Sequence, residues 1–273
     1  MEEKLKHIVI VLACIIAFFP IGWIIITSLK TRFEVYTYPP TFIPHPPTLR
    51  SYYEIYQARG NFKYYALNSV IVTIISTFFT IGLGTFASYS FSRFKFKFNE
   101  FFLLLFLTTR MIPPMSLAVP FYIIMKKLGL VDTKYSLILM YTVTNLPLAI
   151  WLLKGFFDEI PQVLEDAAKV DGCSRFTALT HITLPLSRPG LAAAFIFTLI
   201  ICWNEFLFAR IFTLSTASKT LPVGIAELLG AEYELDWGNV SAAATTIILP
   251  MFFFAVFLQK HIVKGILGGA VKG

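Results

Sequence analysis

Six apolar runs, each close to the roughly 20 residues that an α-helix needs to cross a bilayer, constrain this chain more than any other feature. They cover residues 7–29, 66–91, 101–125, 135–153, 190–212 and 239–259. The chain is 56% hydrophobic and 14% charged, with a mean hydropathy of +0.71. A water-soluble domain of 273 residues could not bury that much apolar surface, so lipid is the expected solvent for much of it. Backbone amides in hydrocarbon find partners only within their own segment, which predicts that every run is helical. The expected fold class is an all-α polytopic membrane protein with six transmembrane helices. The first run follows Glu2-Glu3-Lys4-Leu5-Lys6, is too long for a signal-peptide core and lacks a small-residue cleavage site, so it is expected to be retained.

An even number of spans puts both termini on one side. Short loops rich in Lys and Arg favour the cytoplasm. Arg93, Lys95 and Lys97, then Lys154, Lys169, Arg175 and Arg188, and finally Lys260, Lys264 and Lys272 all fall on the side of the termini. The opposite side carries Lys30, Arg32, Arg50, Arg59, Lys63, Lys126, Lys127 and Lys134, so the rule leans towards cytoplasmic termini without deciding it. The net charge of +7 arises from scattered basic residues, which suits membrane flanks better than nucleic-acid binding. Cys14 and Cys202 lie within runs and Cys173 outside them, a pattern of neither disulfides nor zinc. The four histidines lack metal-ligand spacing, and no Gly-Lys-Ser/Thr element is present. The sequence therefore predicts no catalytic residues, no metal site and no phosphate-binding loop.

Two loops on the side away from the termini have their own character. Residues 36–47 include Pro39, Pro40, Pro44, Pro46 and Pro47, which predicts an extended, stiff segment. Residues 213–238 form a long excursion with a predicted short helix over 223–229 and an acidic, aromatic end at 232–237. Loops of that length are usually functional or disordered.

Between the fourth and fifth runs the chain turns polar: E-I-P-Q-V-L-E-D-A-A-K-V-D-G-C-S-R-F. Asp158 and Glu159 precede Pro161, which suits the first turn of a helix. Helical spacing puts Val163, Leu164, Ala167 and Ala168 on one face and Gln162, Glu165, Asp166 and Lys169 on the other. Gly172 is expected to close this helix of about 11 residues, or roughly 16 Å. Ser174 then caps a second helix through Phe176, Leu179 and Ile182, which Leu184-Pro185 is expected to stop. An amphipathic helix lying on the headgroups is one reading. The small-residue face and excess of acids suit docking of another protein.

The run Glu165-Asp166-Ala167-Ala168-x-x-Asp171-Gly172, followed by Leu184-Pro185-Leu186 and Pro189-Gly190, resembles the "EAA" loop of membrane subunits of binding-protein-dependent ABC importers. Here Asp166 stands where the motif has glutamate. Tyr64-Tyr65-Ala66-Leu67-Asn68-Ser69, Ala87-Ser88-Tyr89-Ser90-Phe91-Ser92-Arg93-Phe94, Ile112-Pro113, Gly129-Leu130-x-Asp132-Thr133 and Trp203-Asn204-Glu205-Phe206 resemble the sugar-importing branch. The ending Lys264-Gly265 to Val271-Lys272-Gly273 is similar to that of the smaller six-span subunit of maltose-type importers. The resemblance implies a type I ABC importer membrane-subunit fold in a prokaryotic cytoplasmic membrane, with both termini cytoplasmic. It implies a first span and Pro-rich loop over 1–63, a core over 64–260 with a coupling loop at 154–189, and a cytoplasmic tail over 261–273.

The resemblance further implies a non-catalytic permease subunit of a sugar importer, with an oligosaccharide as the expected cargo. Its expected partners are a second permease subunit, a dimer of ATP-binding subunits and an extracytoplasmic sugar-binding protein. ATP and Mg would be bound by the ATPase, leaving no cofactor in this chain. Glu165, Asp166, Ala167, Ala168, Asp171, Gly172 and Phe176 would couple to the ATPase, with the acids pairing with basic groups. Tyr233 and Trp237 would meet the binding protein. The tail is either a frayed end or lies along the ATPase dimer interface. Arg110, Asn204 and Glu205 lie within apolar runs, where charge is costly. They either line or gate the pathway or brace helices, with Arg110 as a mate for Glu205. The competing function is a secondary transporter driven by an ion gradient, which should show internal repeats and paired interrupted helices.

Overall fold

The computed structural model describes residues 2–58, 61–94, 96–230 and 235–270, with 255–270 as backbone alone. Every regular element among them is a helix. In chain order these are α1 (Glu2–Ser28), α2 (Arg32–Val35), α3 (Arg50–Tyr53), α4 (Phe62–Arg93), α5 (Asn99–Thr108), α6 (Pro114–Lys127) and α7 (Lys134–Asp158). They continue with α8 (Gln162–Val170), α9 (Arg175–Ala178), α10 (Leu184–Leu186), α11 (Arg188–Trp203), α12 (Leu207–Phe212), α13 (Leu221–Leu229) and α14 (Trp237–Ala270). The runs are helical, as backbone satisfaction in lipid requires.

Four helices are long and apolar enough to cross a bilayer unbroken: α1, α4, α7 and the Trp237–Phe254 part of α14. The other two predicted spans are not single rods. Residues 101–125 divide into α5, with its final 3-10 turn, and α6, which meet at 97°. The cause is Pro113-Pro114: the residue before a proline is driven out of the helical region, and Ile112 is extended at ψ 124°. The segment 190–212 is interrupted between α11 and α12, and α11 itself lies at 80° to the helical stretch Arg175–Leu186. That stretch runs on through a π-turn over Leu179–Thr183 and stops just after Leu184-Pro185, at Leu186, as expected. Pro185 falls at the first positions of α10, where a missing N–H costs little. The last helix stays helical to Ala270, past the predicted limit of 259.

The chain forms two compact units. The first comprises residues 1–66 and 220–251. In it the Pro-rich segment is non-helical, as expected, but turns back on itself instead of reaching outward. Thr48 N–H donates to the Leu29 carbonyl at 2.8 Å and closes the loop. Lys30, buried beneath it and 4.5 Å above the Trp23 ring, donates to the Thr41 carbonyl at 2.6 Å. The Glu34 carboxylate accepts from the Thr41 hydroxyl at 2.7 Å and the His45 amide at 3.1 Å. The prolines limit the segment's freedom, and one buried cation and one buried anion decide where it goes.

The second unit comprises residues 67–219 and 252–273. Its core joins Tyr89 of α4, Leu153 and Phe157 of α7, Leu179, and Ala194 of α11. Helix α11 approaches α7 closely because residue 190 is glycine. A Cβ there would lie 2.2 Å from Cγ of Phe156, and small residues are the usual means of close helix contact in membranes.

Candidate functional site

The polar break folds as predicted in outline: α8 from Gln162, then α9 from Arg175. Pro161 is the N-cap, one position outside α8. The end of α8 is tied by two backbone bonds, Gly172 N–H to the Lys169 carbonyl at 3.0 Å and Cys173 N–H to the Ala168 carbonyl at 2.9 Å. This is the Schellman arrangement, which needs a left-handed residue after the cap, and Gly172 has φ +87°. Ser174 then caps α9, its Oγ accepting from the Thr177 amide at 3.1 Å. Two helices thus meet through a turn fixed at both ends by hydrogen bonds.

The face that α8 buries differs from the expected one. Glu165, 1% exposed, and Ala168 point inward, while Val163, Leu164, Ala167 and Val170 are exposed. Three groups explain the inversion. Oε1 of Glu165 accepts from Arg93 Nε and from Thr183 Oγ1, both at 2.7 Å, and Oε2 accepts from the Tyr89 hydroxyl at 2.7 Å. Arg93 also donates to the Ile160 carbonyl at 3.1 Å and to Ser92 Oγ at 3.1 Å. Ser92 in turn donates to Asp158, which pairs with Lys154 at 2.6 Å. The ion pair is nearly buried, with side-chain exposures of 8% and 1%. Burial alone would push the Glu165 carboxyl up, but bonds from Arg93, Thr183 and Tyr89 outweigh it and hold the carboxyl below its ordinary value. Once that latch is made, the apolar face of α8 has no place to go but outward.

The expected coupling residues therefore divide. Glu165 meets a basic group of its own chain. Ala168 packs inward. Asp166 is exposed and pairs with Lys169 at 2.8 Å. Ala167 and Asp171 lie exposed on the outer side of α8 and its cap. Phe176 is 63% exposed and stacks on Phe86 with ring centroids 6.5 Å apart. The latch partners Arg93 and Tyr89 stand in motifs that the sequence marked only by resemblance. Nothing in sequence spacing links them to Glu165, more than 70 residues away.

Within the spans, Arg110 and Glu205 are not mates. Arg110 Nη1 donates to the Thr144 carbonyl at 2.8 Å. The Glu205 carboxylate accepts from the Phe208 amide at 2.8 Å and the Ala209 amide at 3.1 Å. It thus satisfies the free N–H groups at the start of α12, where the helix dipole also favours an anion. Asn204, exposed beside it, donates to the Ile200 carbonyl at 2.8 Å. The pairing expected from charge alone fails because a nearer helix start claims the acid. On the long loop, Trp237 is half-exposed at the first position of α14, and Tyr233 lies outside the described residues.

The chain is thus a polytopic helical protein with a capped helix, exposed on its outer face, between two spans and latched to a third. Residues 80–268 match the model of the binding-protein-dependent transport system inner membrane component. The chain is 36% identical to the trehalose/maltose transport system permease protein MalG of Thermococcus litoralis, covering 100% of this chain and 99% of that one. It is also 36% identical to the sulfoquinovosyl glycerol transport system permease protein SmoH of Agrobacterium fabrum, covering 99% and 94%. A bacterial ABC transporter involved in import of the acidic polysaccharide alginate shares the fold, with a TM-score of 0.79 at 20% identity, covering 94% and 95% of the chains. The chain belongs to the binding-protein-dependent transport system inner membrane components.

Proposed function

We propose that this chain is the permease subunit of an ATP-driven importer for a carbohydrate, an oligosaccharide or a related glycoside. The relatives named for trehalose, maltose and sulfoquinovosyl glycerol support that cargo class. The chain works as half of a translocation pathway, beside a second permease subunit. A dimer of ATP-binding subunits holds ATP and Mg, and an extracytoplasmic binding protein delivers the sugar. The subunit itself performs no chemistry.

The observation that carries the coupling mechanism is the buried Arg93–Glu165 pair. The outer face of α8, with Val163, Leu164 and Ala167 exposed, offers apolar contact to the ATPase, and Asp166, Asp171 and Phe176 flank it. When the ATPase dimer closes, it displaces α8. A displacement matters only if α8 is rigidly joined to a span, and breaking a buried pair by removing one partner costs about 3–5 kcal/mol. The latch therefore carries the movement of α8 into α4, and rigid-body rocking exchanges access between the two sides. Asn204 and Glu205, at the break after α11, and Arg110, on the bend between α5 and α6, are the residues proposed to line or gate the pathway.

An ion-driven secondary transporter is the competing reading, and family membership argues against it. The test is reconstitution. Co-expression with an ATP-binding subunit and a second permease should yield a complex in mild detergent whose components are identified by mass. Proteoliposomes of that complex should take up sugar only with binding protein and ATP. Uptake by the chain alone, driven by an ion gradient, would sink the proposal.

A further inference from the structure

Beside the last turns of α7 the second unit has an open groove of about 310 Å³. Leu103 of α5 and Trp151 of α7 stand on its apolar wall, and Lys154, Asp158 and Glu159 carry charge along its rim. The rim is unevenly satisfied. Asp158 accepts from Ser92 Oγ at one carboxylate oxygen and from Lys154 Nζ at the other, both at 2.6 Å. The Lys154 ammonium has three N–H groups, and its side chain keeps 24% of its surface exposed. Glu159, exposed at the C-cap of α7, has no side-chain hydrogen bond or ion pair among the described residues.

Gly155, which also lines the groove, is an independent observation. Glycine inside a helix is destabilising relative to alanine. At Gly190 the cause lies within the chain, because a Cβ would strike Phe156. At Gly155 a Cβ would meet nothing within 4 Å, so the packing of this chain does not require the bare backbone. What uses that space lies outside the chain. The level in the membrane narrows the choice. Asp158 ends α7, so the charged rim is where the span leaves the hydrocarbon. Trp151, 49% exposed, lies about 10 Å further in along the helix, at the depth where interfacial tryptophans collect.

We propose that this groove binds one aminophospholipid of the surrounding leaflet, its ammonium on Glu159, its phosphate on Lys154 and the start of one acyl chain over Gly155 along Leu103 and Trp151. The groove offers charge of both signs above an apolar wall, which matches a zwitterionic headgroup on an acyl chain. Lys154 and Glu159 are about 7.5 Å apart along the helix axis, a span that an ethanolamine phosphate covers with a hydrogen bond at each end. The end of α7 also favours a cation, since the helix dipole is negative there. A helix of a neighbouring subunit laid in the groove would bury Glu159 without a cation unless it brought one, and burying an unpaired carboxylate is costly. The site depends on the spans alone, whatever cargo the subunit serves.

The experiment uses the full chain with the subunits that co-purify, stripped of lipid in mild detergent. Dioleoyl phosphatidylethanolamine, phosphatidylcholine or phosphatidylglycerol is then added, and the lipid retained per chain is counted by native mass spectrometry. We expect one ethanolamine lipid per chain, held about tenfold more tightly than the choline lipid, whose quaternary ammonium has no N–H to give. The glycerol lipid, lacking a cation, should be as weak as the choline lipid. Glu159→Gln should lower the ethanolamine lipid to the choline level. Gly155→Leu, whose side chain fills the groove while suiting a helix, should abolish retention. Should Gly155→Leu fail to accumulate, Glu159→Gln, which removes only an exposed unpaired charge, carries the test. Equal retention of the three lipids, or retention unchanged by Glu159→Gln, overturns the proposal. Loss of a co-purifying membrane subunit from Gly155→Leu at unchanged lipid count also overturns it and assigns the groove to a neighbouring subunit.

Discussion

At the residue scale the polypeptide rests on a few buried charges whose partners are far away in sequence. Arg93→Ala should destabilise the detergent-solubilised protein by about 3–5 kcal/mol, because it leaves Glu165 buried and unpaired. The double change Arg93→Met with Glu165→Leu should cost less than the sum of the single changes, since neither charge is then stranded; a thermal-unfolding cycle measures this, and strict additivity would show that the two do not interact. The pH dependence follows from the same group. Its folded carboxyl sits below the ordinary 4.5, so its contribution is complete above that value and fades as pH falls through the lower, folded one. Stability should be level from about pH 6 to 8 and drop in acid, and Glu165→Gln should flatten the acid limb. A glutamate two positions past Val163 reads in the sequence as part of a solvated face. Only the arrival of Arg93, Tyr89 and Thr183 from elsewhere turns it inward.

At the scale of elements, local chemistry decided the ends of helices and tertiary contact decided their faces. The cap of α8 was legible because Gly172 is the residue type that tolerates φ +87°. Gly172→Val should loosen that cap and abolish binding-protein-dependent uptake while the amount of protein in the membrane fraction stays near wild type; undiminished uptake would show that the turn carries no force. The break between α5 and α6 follows from Pro113-Pro114, but its 97° angle does not, because proline forbids one conformation without choosing among the rest. The contact of α11 with α7 yields another expectation. Gly190→Ala places a methyl group in the space of the Phe156 ring and should destabilise by about 1–3 kcal/mol. Phe156→Ala in the same molecule should recover part of that loss in thermal unfolding. No recovery would mean that the helices do not meet there.

For the whole molecule, the spans predict opposite exposure of two points on the second unit. A cysteine at Ala167, in a variant lacking Cys14, Cys173 and Cys202, should react with a membrane-impermeant maleimide only in inside-out vesicles. A cysteine at Ala217 should react in intact cells; labelling of both from the same side would overturn the six-span topology. The sequence by itself determined the solvent, the helical state of the spans, the short capped helices between them and the family resemblance. These follow from hydropathy, from backbone hydrogen bonding in lipid and from local caps, all of which act within one stretch of chain. Tertiary structure alone decided that α8 turns its apolar face outward, that Glu205 caps α12 instead of pairing with Arg110, and that the Pro-rich loop folds back over Lys30 and Glu34. Each of those outcomes is a choice of partner for a buried charge, and a charge takes the partner that folding brings within about 3 Å, which spacing along the chain does not encode.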